Sequence, residues 1–185
     1  TILNVIEPED DERAIFSCPK ADIDMTVADW IQLGNEFLFI NAPDEALTAF
    51  DNGLELEPEN ETLLRGKALA LTYLKRDDEV IEIYESLIKK DPKNSDIIAD
   101  LGFVYYHNGD YDEALKLFNK SVSINKENSL AYLGIGLVFS QLGSYVQSIR
   151  SYDKAIEIKP DYKEAWFGKA ASYSAVGNET EAIIA

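Results

Sequence analysis

Apolar residues recur along this chain in pairs of helical stripes separated by short polar turns. Trp30, Leu33 and Phe37 lie three and four positions apart, and Ala46, Leu47, Phe50 and Leu54 repeat that spacing. Each set therefore falls on one face of an α-helix. Turn formers stand between the stripes at Asn41-Ala42-Pro43-Asp44, Lys75-Arg76-Asp77-Asp78, Gly109-Asp110, Gly143-Ser144 and Gly177-Asn178. The second stripes end before Pro58, Pro92 and Pro160, with Lys126 as the exception. A proline stops a helix there because it lacks an N–H. Thr26, three residues before Asp29, predicts a capping box on the first helix. The pattern predicts helix–turn–helix hairpins in tandem.

The hairpins share one period. Trp30, Leu64, Ile98, Tyr132 and Trp166 are each 34 residues apart, and so are Phe37, Leu71, Tyr105, Phe139 and Tyr173. The same step links Leu33-Gly34 to Lys67-Ala68, Leu101-Gly102, Ile135-Gly136 and Lys169-Ala170. On the second helix it joins Ala46, Val80, Ala114, Ser148 and Ala182, then Phe50, Tyr84, Phe118 and Tyr152. Small residues follow at Gly53, Ser121 and Ala155, with Leu87 departing from the set.

A 34-residue unit with Trp, Leu-Gly and Tyr on its first helix and Ala, Phe and Pro on its second resembles the tetratricopeptide repeat family. The units run 27–60, 61–94, 95–128 and 129–162, with a partial fifth over 163–185 and an acidic extension over 1–26. The resemblance implies an all-α fold, a right-handed α-solenoid of stacked hairpins, and a non-catalytic protein-interaction scaffold. The unit at Glu61 fits least well, because Lys67 stands where a buried leucine is usual; its stem can lie on the core with the ammonium outward. A related pentatricopeptide family that binds RNA uses a unit of 35 residues, which this period does not match.

Composition narrows the partners. Seventeen basic and 34 acidic residues give a formal charge of −17, which opposes nucleic acid and anionic membrane alike. The longest apolar run, Ala131 to Phe139, falls far short of the ~20 residues that span a bilayer. One cysteine, Cys18, makes no intramolecular disulfide, and no basic-then-apolar leader opens the chain, so a cytoplasmic, reducing location is expected. Residues 1–26 hold seven acids and two bases. Their apolar groups, Ile2-Leu3, Val5-Ile6 and Ala14-Ile15-Phe16, suit either a tether or a packed cap. Asp22 and Asp24 open like a calcium loop, but the later Gly and Glu are missing. At the other end Ile183-Ile184 forms an apolar edge without a polar capping helix, so a longer array, or self-association through that edge, is an alternative.

Signatures of catalysis are absent. His107 and Cys18 lie about ninety residues apart on different segments, and Gly134-x-Gly136 falls inside a helix rather than after a strand. No cofactor or metal is expected. A regulatory or recruiting arm of a larger enzyme remains an alternative role. In the resembling family the first helices line a concave groove, and positions 2, 5, 6, 9, 12 and 13 of each unit face it. The groove residues this implies are Asn35, Phe39, Arg65 and Tyr73, then Asp96, Asp100, Phe103, Tyr106 and His107, with Leu137 and Phe167 beyond. The family's carboxylate clamp for chaperone tails is missing: Asn35 matches one clamp position, but Ile31, Gly66, Asp96 and Asp100 replace its other polar and basic residues. Two aspartates repel a terminal carboxylate. Tyr73, Tyr106 and His107 are expected to be exposed, while Phe103 and Phe167 suit either exposure or packing. Gly66, Gly134 and Gly168 share one position and suit either notches for a partner or close helix packing. The expected ligand is a protein segment with apolar residues for the aromatics and basic flanks for Asp96, Asp100 and Glu164.

Overall fold

The first helices begin where a side chain can satisfy the free N–H groups of the opening turn. In the computed structural model, which describes residues 25–177, Thr26 caps Val27–Phe39 (α1). Its Oγ1 accepts from Asp29 N at 3.3 Å, and Asp29 Oδ2 accepts from Thr26 N at 2.8 Å, completing the expected capping box. These bonds hold the Asp29 carboxyl below its usual range. Asn60, Asn94 and Asn128 cap Glu61–Tyr73 (α3), Ser95–His107 (α5) and Ser129–Gln141 (α7), each accepting from the N–H three residues on. At Lys163–Ala175 (α9) Tyr162 takes that place and makes no such bond.

The second helices are Pro43–Leu56 (α2), Asp77–Lys90 (α4), Tyr111–Ile124 (α6) and Tyr145–Ile158 (α8). None has a side-chain cap. Instead α2 starts on a proline, which has no N–H to satisfy, and α2, α4 and α6 carry acids in their first turns, which suit the positive end of the helix dipole. Every first helix stops at a left-handed residue: Asn41, Lys75, Gly109, Gly143 and Gly177 all have φ between 59° and 84°. Second helices stop in a tight turn whether or not a proline is present. At the proline-free junction after α6, Asn128 N donates to Asn125 O at 3.2 Å, and Asn125 Oδ1 accepts from Glu127 N at 3.0 Å.

The chain divides between α3 and α4 into two compact units, Thr1–Lys75 and Arg76–Ala185. In unit 1, α1 and α2 form a hairpin, and α3 packs on both. Its core gathers Trp30, Phe37, Ala46, Ala49, Phe50 and Leu63. In unit 2, α5 pairs with α6, α7 with α8, and α4, α6 and α8 each pack on the first helix that follows. Phe118 and Tyr152 centre its two apolar clusters. Of the expected acidic extension over 1–26, residues 1–24, Cys18 among them, lie outside the described residues, as does the Ile183-Ile184 edge.

Candidate protein-docking face

The candidate residues all lie on first helices, and their exposure differs from one to the next. In unit 1 Phe39 is 92% exposed, Tyr73 54% and Leu69 47%, while Asn35 lies in solvent. Exposure of Tyr73 agrees with expectation. Leu69, a turn before Tyr73, occupies a face position but carried no polar or aromatic signal to single it out. Arg65 is half-buried, with Nη1 4.0 Å from Glu61 Oε1 one turn earlier.

In unit 2 the aromatics divide. Phe167 is 79% exposed, whereas Phe103 stacks edge-on against Phe118 with ring centroids 4.9 Å apart. His107 is exposed, as expected. Tyr106 is half-buried rather than exposed, because its ring leans on Tyr111 at 5.8 Å and its hydroxyl accepts from Gln141 Nε2 at 3.3 Å. Leu137 is also half-buried, packed beside Leu133 and Tyr152. Asp100 is half-buried as well.

Asp96 takes part in a contact between helices. Its Oδ1 accepts from Asn128 Nδ2 at 2.9 Å, and Asn128 Nδ2 also lies 3.1 Å from Ser121 Oγ. Ser121 Oγ in turn donates to Ser95 O at 2.8 Å. This partly buried junction ties the start of α5, the end of α6 and the start of α7. The clustered Asn and Ser positions were visible in the sequence, but contacts between residues 32 apart were not.

The notch reading of the glycines is corrected. A Cβ on Gly66 would come 2.4 Å from Phe50, one on Gly134 2.3 Å from Phe118, and one on Gly168 2.5 Å from Tyr152. The space is already filled by the ring of the preceding second helix. The Leu-Gly glycine takes the same ring from the other side, with Gly34 on Phe50, Gly102 on Phe118 and Gly136 on Tyr152. Each of these rings is held between two glycines, and close packing explains them.

Lys67, at the usual leucine position, is half-buried with its ammonium at the surface, as expected, and Lys169 at the same repeat position behaves alike. Lys67 Nζ pairs with Asp51 Oδ1 at 2.7 Å, and Lys169 Nζ with Asp153 Oδ1 at 3.1 Å. Each aspartate stands sixteen residues before its lysine, a co-occurrence that could have been read from the chain. A cleft of about 520 Å³ beside Tyr132 is bounded by Lys126, Glu127, Lys154 and Glu157. Lys154 and Glu157 pair at 2.6 Å, so the cleft presents no net charge to a ligand. No group of His, Cys, Asp and Glu among the described residues could hold a metal ion. No helix among them is long and apolar enough to cross a membrane.

Two family profiles, each described as tetratricopeptide repeat, match residues 31–95 and 94–161, together well over half of the chain. The chain belongs to the tetratricopeptide repeat family. A comparison by sequence with curated proteins finds no match. Among solved structures, this tetratricopeptide repeat protein is similar to a thermophilic one from Thermus thermophilus, with TM-score 0.75 and 21% identity over 86% of this chain and 87% of that one. It is also similar to PilF of Pseudomonas aeruginosa, with TM-score 0.72 and 18% identity over 85% of this chain and 72% of that one. A chain of the Cut9–Hcn1 hetero-tetramer matches with TM-score 0.76 and 16% identity, over 86% of this chain and 32% of that one. At these identities the likeness shows the fold, a helical-repeat solenoid. Tetratricopeptide repeat proteins generally mediate protein–protein interaction and are typically non-catalytic scaffolds.

Proposed function

We propose that this protein is an interaction scaffold whose repeat array, residues 27–185, holds an extended or helical segment of a partner protein against its first-helix faces. The observation that carries the reading is Phe167, 79% exposed on a face that bears Asp96, Asp100 and Glu164 and no Lys or Arg. Exposed aromatics are favoured interface anchors because they bury much area at low entropic cost. A base-free acidic face attracts Lys or Arg beside the apolar residues of the partner. Phe167 and His107 are direct anchors in this reading. Phe103, Leu137 and Tyr106 form the floor beneath them, and Asp96 and Asp100 supply the charge. Unit 1 adds Phe39, Tyr73 and Asn35, with Arg65 marking its edge.

The test is capture from native lysate, read by mass spectrometry, with wild type and with Tyr73→Ala/Phe167→Ala. Both positions are exposed, so the variant keeps its core. A protein captured only by wild type is then titrated as the purified segment. Loss of one anchor is expected to weaken binding about 10-fold, and added salt to weaken it further. Tight binding that ignores both changes would contradict the proposal.

A further inference from the structure

Three residues stand at the second position of the last three first helices, all within unit 2: Asp96 on α5, Leu130 on α7 and Glu164 on α9. Because α7 packs on both α5 and α9, one repeat position carries a carboxylate, a leucine and a carboxylate in a row. Both acids are exposed, and Leu130 is half-buried against the cluster around Phe118. One oxygen of Asp96 belongs to the junction with α7: Oδ1 accepts from Asn128 Nδ2 at 2.9 Å and from Ser95 Oγ at 3.4 Å. Its Oδ2 makes no hydrogen bond or ion pair with a described residue, and neither does the Glu164 carboxylate. Asp100 already has an interaction of its own and stays out of the row.

No base answers these acids on their own face. Helices α5 and α7 contain no Lys or Arg. On α9, Lys169 turns to Asp153 at 3.1 Å and lies over the rings of Trp166 and Tyr173. Lys163 directly precedes Glu164, and residues one apart on a helix do not face each other. A first-turn acid also suits the helix dipole. Yet α7 starts on its asparagine cap with no acid in that turn, and α5 has the same kind of cap at Asn94.

Two separated carboxylates around a leucine fit a chain that carries two cations around apolar side chains. Packed helices lie about 8–10 Å apart, so two steps put Asp96 and Glu164 about 16–20 Å from each other. An extended chain covers that span in about six residues at roughly 3.3 Å each, with alternate side chains on one side. Cations at i and i+6 then face the two acids, and apolar residues at i+2 and i+4 face Leu130. A helix would need its cations about eleven residues apart and an apolar stripe between them. The surface of α7 offers little to such a stripe: Leu133 is 6% exposed, Gly134 is buried, and Leu130 and Leu137 are half-buried.

We propose that unit 2 takes an extended segment with Lys or Arg at i and i+6 and apolar residues at i+2 and i+4, its two cations paired with Asp96 and Glu164 across Leu130. The inference rests on the docking reading above and narrows it to one chemistry and one conformation.

The probe is the peptide Lys-Ser-Leu-Ser-Leu-Ser-Lys, blocked at both ends, titrated into the full chain at low salt and followed by amide NMR signals. Those of Asp96, Leu130 and Glu164 are expected to shift together. Asp96→Asn and Glu164→Gln should each weaken binding about 3-fold and together about 10-fold, as two exposed and independent ion pairs would. The amide at position 96 keeps an acceptor for Asn128 Nδ2, and unchanged melting temperatures check that both variants stay folded. The permuted peptide Lys-Ser-Leu-Ser-Lys-Ser-Leu, with its lysines four apart, should bind about 3-fold more weakly. Tighter binding of a helix-forming peptide with lysines eleven apart, binding that ignores the double variant, or no shift at Asp96 and Glu164 overturns the proposal. The docking reading is judged separately. A captured partner segment that needs Phe167 but ignores the double variant leaves that reading standing and removes this one.

Discussion

A methyl group on Gly134 would lie 2.3 Å from Cζ of Phe118, whose ring is fully buried and already lies close against the backbone of Gly102. Gly134→Ala gains about 1 kcal/mol of helix propensity but overfills this slot, which costs about 1–3 kcal/mol. The variant is expected to be less stable than wild type by urea denaturation; a raised midpoint would show that the ring has room. The glycines were legible as a 34-residue series, but the series did not say what they accommodate. The same limit separated Phe103 from Phe167. Phe103 is the ninth residue of its unit and Phe167 the fifth of its own; the ninth meets the Phe118 ring, while the fifth stays in water.

Among the helices, the asparagine caps carry unequal loads. Asn60 caps α3 at 3.1 Å and bonds Glu57 at the surface. Asn128 caps α7 at 3.0 Å, is 4% exposed, and also holds Asp96 and Ser121. Asn60→Ala should cost about 1 kcal/mol, the usual value of a lost cap. Asn128→Ala should cost about 2–4 kcal/mol, because it also removes the buried amide that joins Asp96 to Ser121. Thermal denaturation of the two variants distinguishes them, and equal losses would mean that the junction adds nothing beyond the cap. Helix starts and stops were legible from turn residues and prolines. Lys126 in place of proline changes nothing, because the turn after α6 is held by Asn125 and Asn128.

Taken together, one buried and two half-buried phenols set a response of the protein to alkali. Burial is the main cause that lifts Tyr105, Tyr152 and Tyr162 above the ordinary value of 10.0. A raised value means that the folded state favours the neutral phenol. Its contribution to stability is therefore complete below pH 10 and is lost as pH rises through the folded values. Tyr152→Phe keeps the ring between Gly136 and Gly168, as Phe50 and Phe118 are kept in their own slots. The variant should show a shallower fall in melting temperature between about pH 8 and pH 11, the range around an unperturbed phenol. An unchanged slope would remove Tyr152 from the account. The proposed preference for a protein ligand with apolar and basic residues is tested by the salt and alanine titrations above.

Periodicity is a property of one helix and its turns, so local spacing predicted the hairpins and their 34-residue step, from which the family resemblance and the helical fold followed. It also placed the aromatics and acids on the first helices, since every residue at one repeat position shares a face. Which of those residues are free depends on atoms far away in the chain. Asn128 takes up Asp96 from a distance of 32 residues, Gln141 reaches Tyr106, and three rings fill the glycine notches. Such contacts are set by how backbones approach one another in space, and only the folded arrangement decides them.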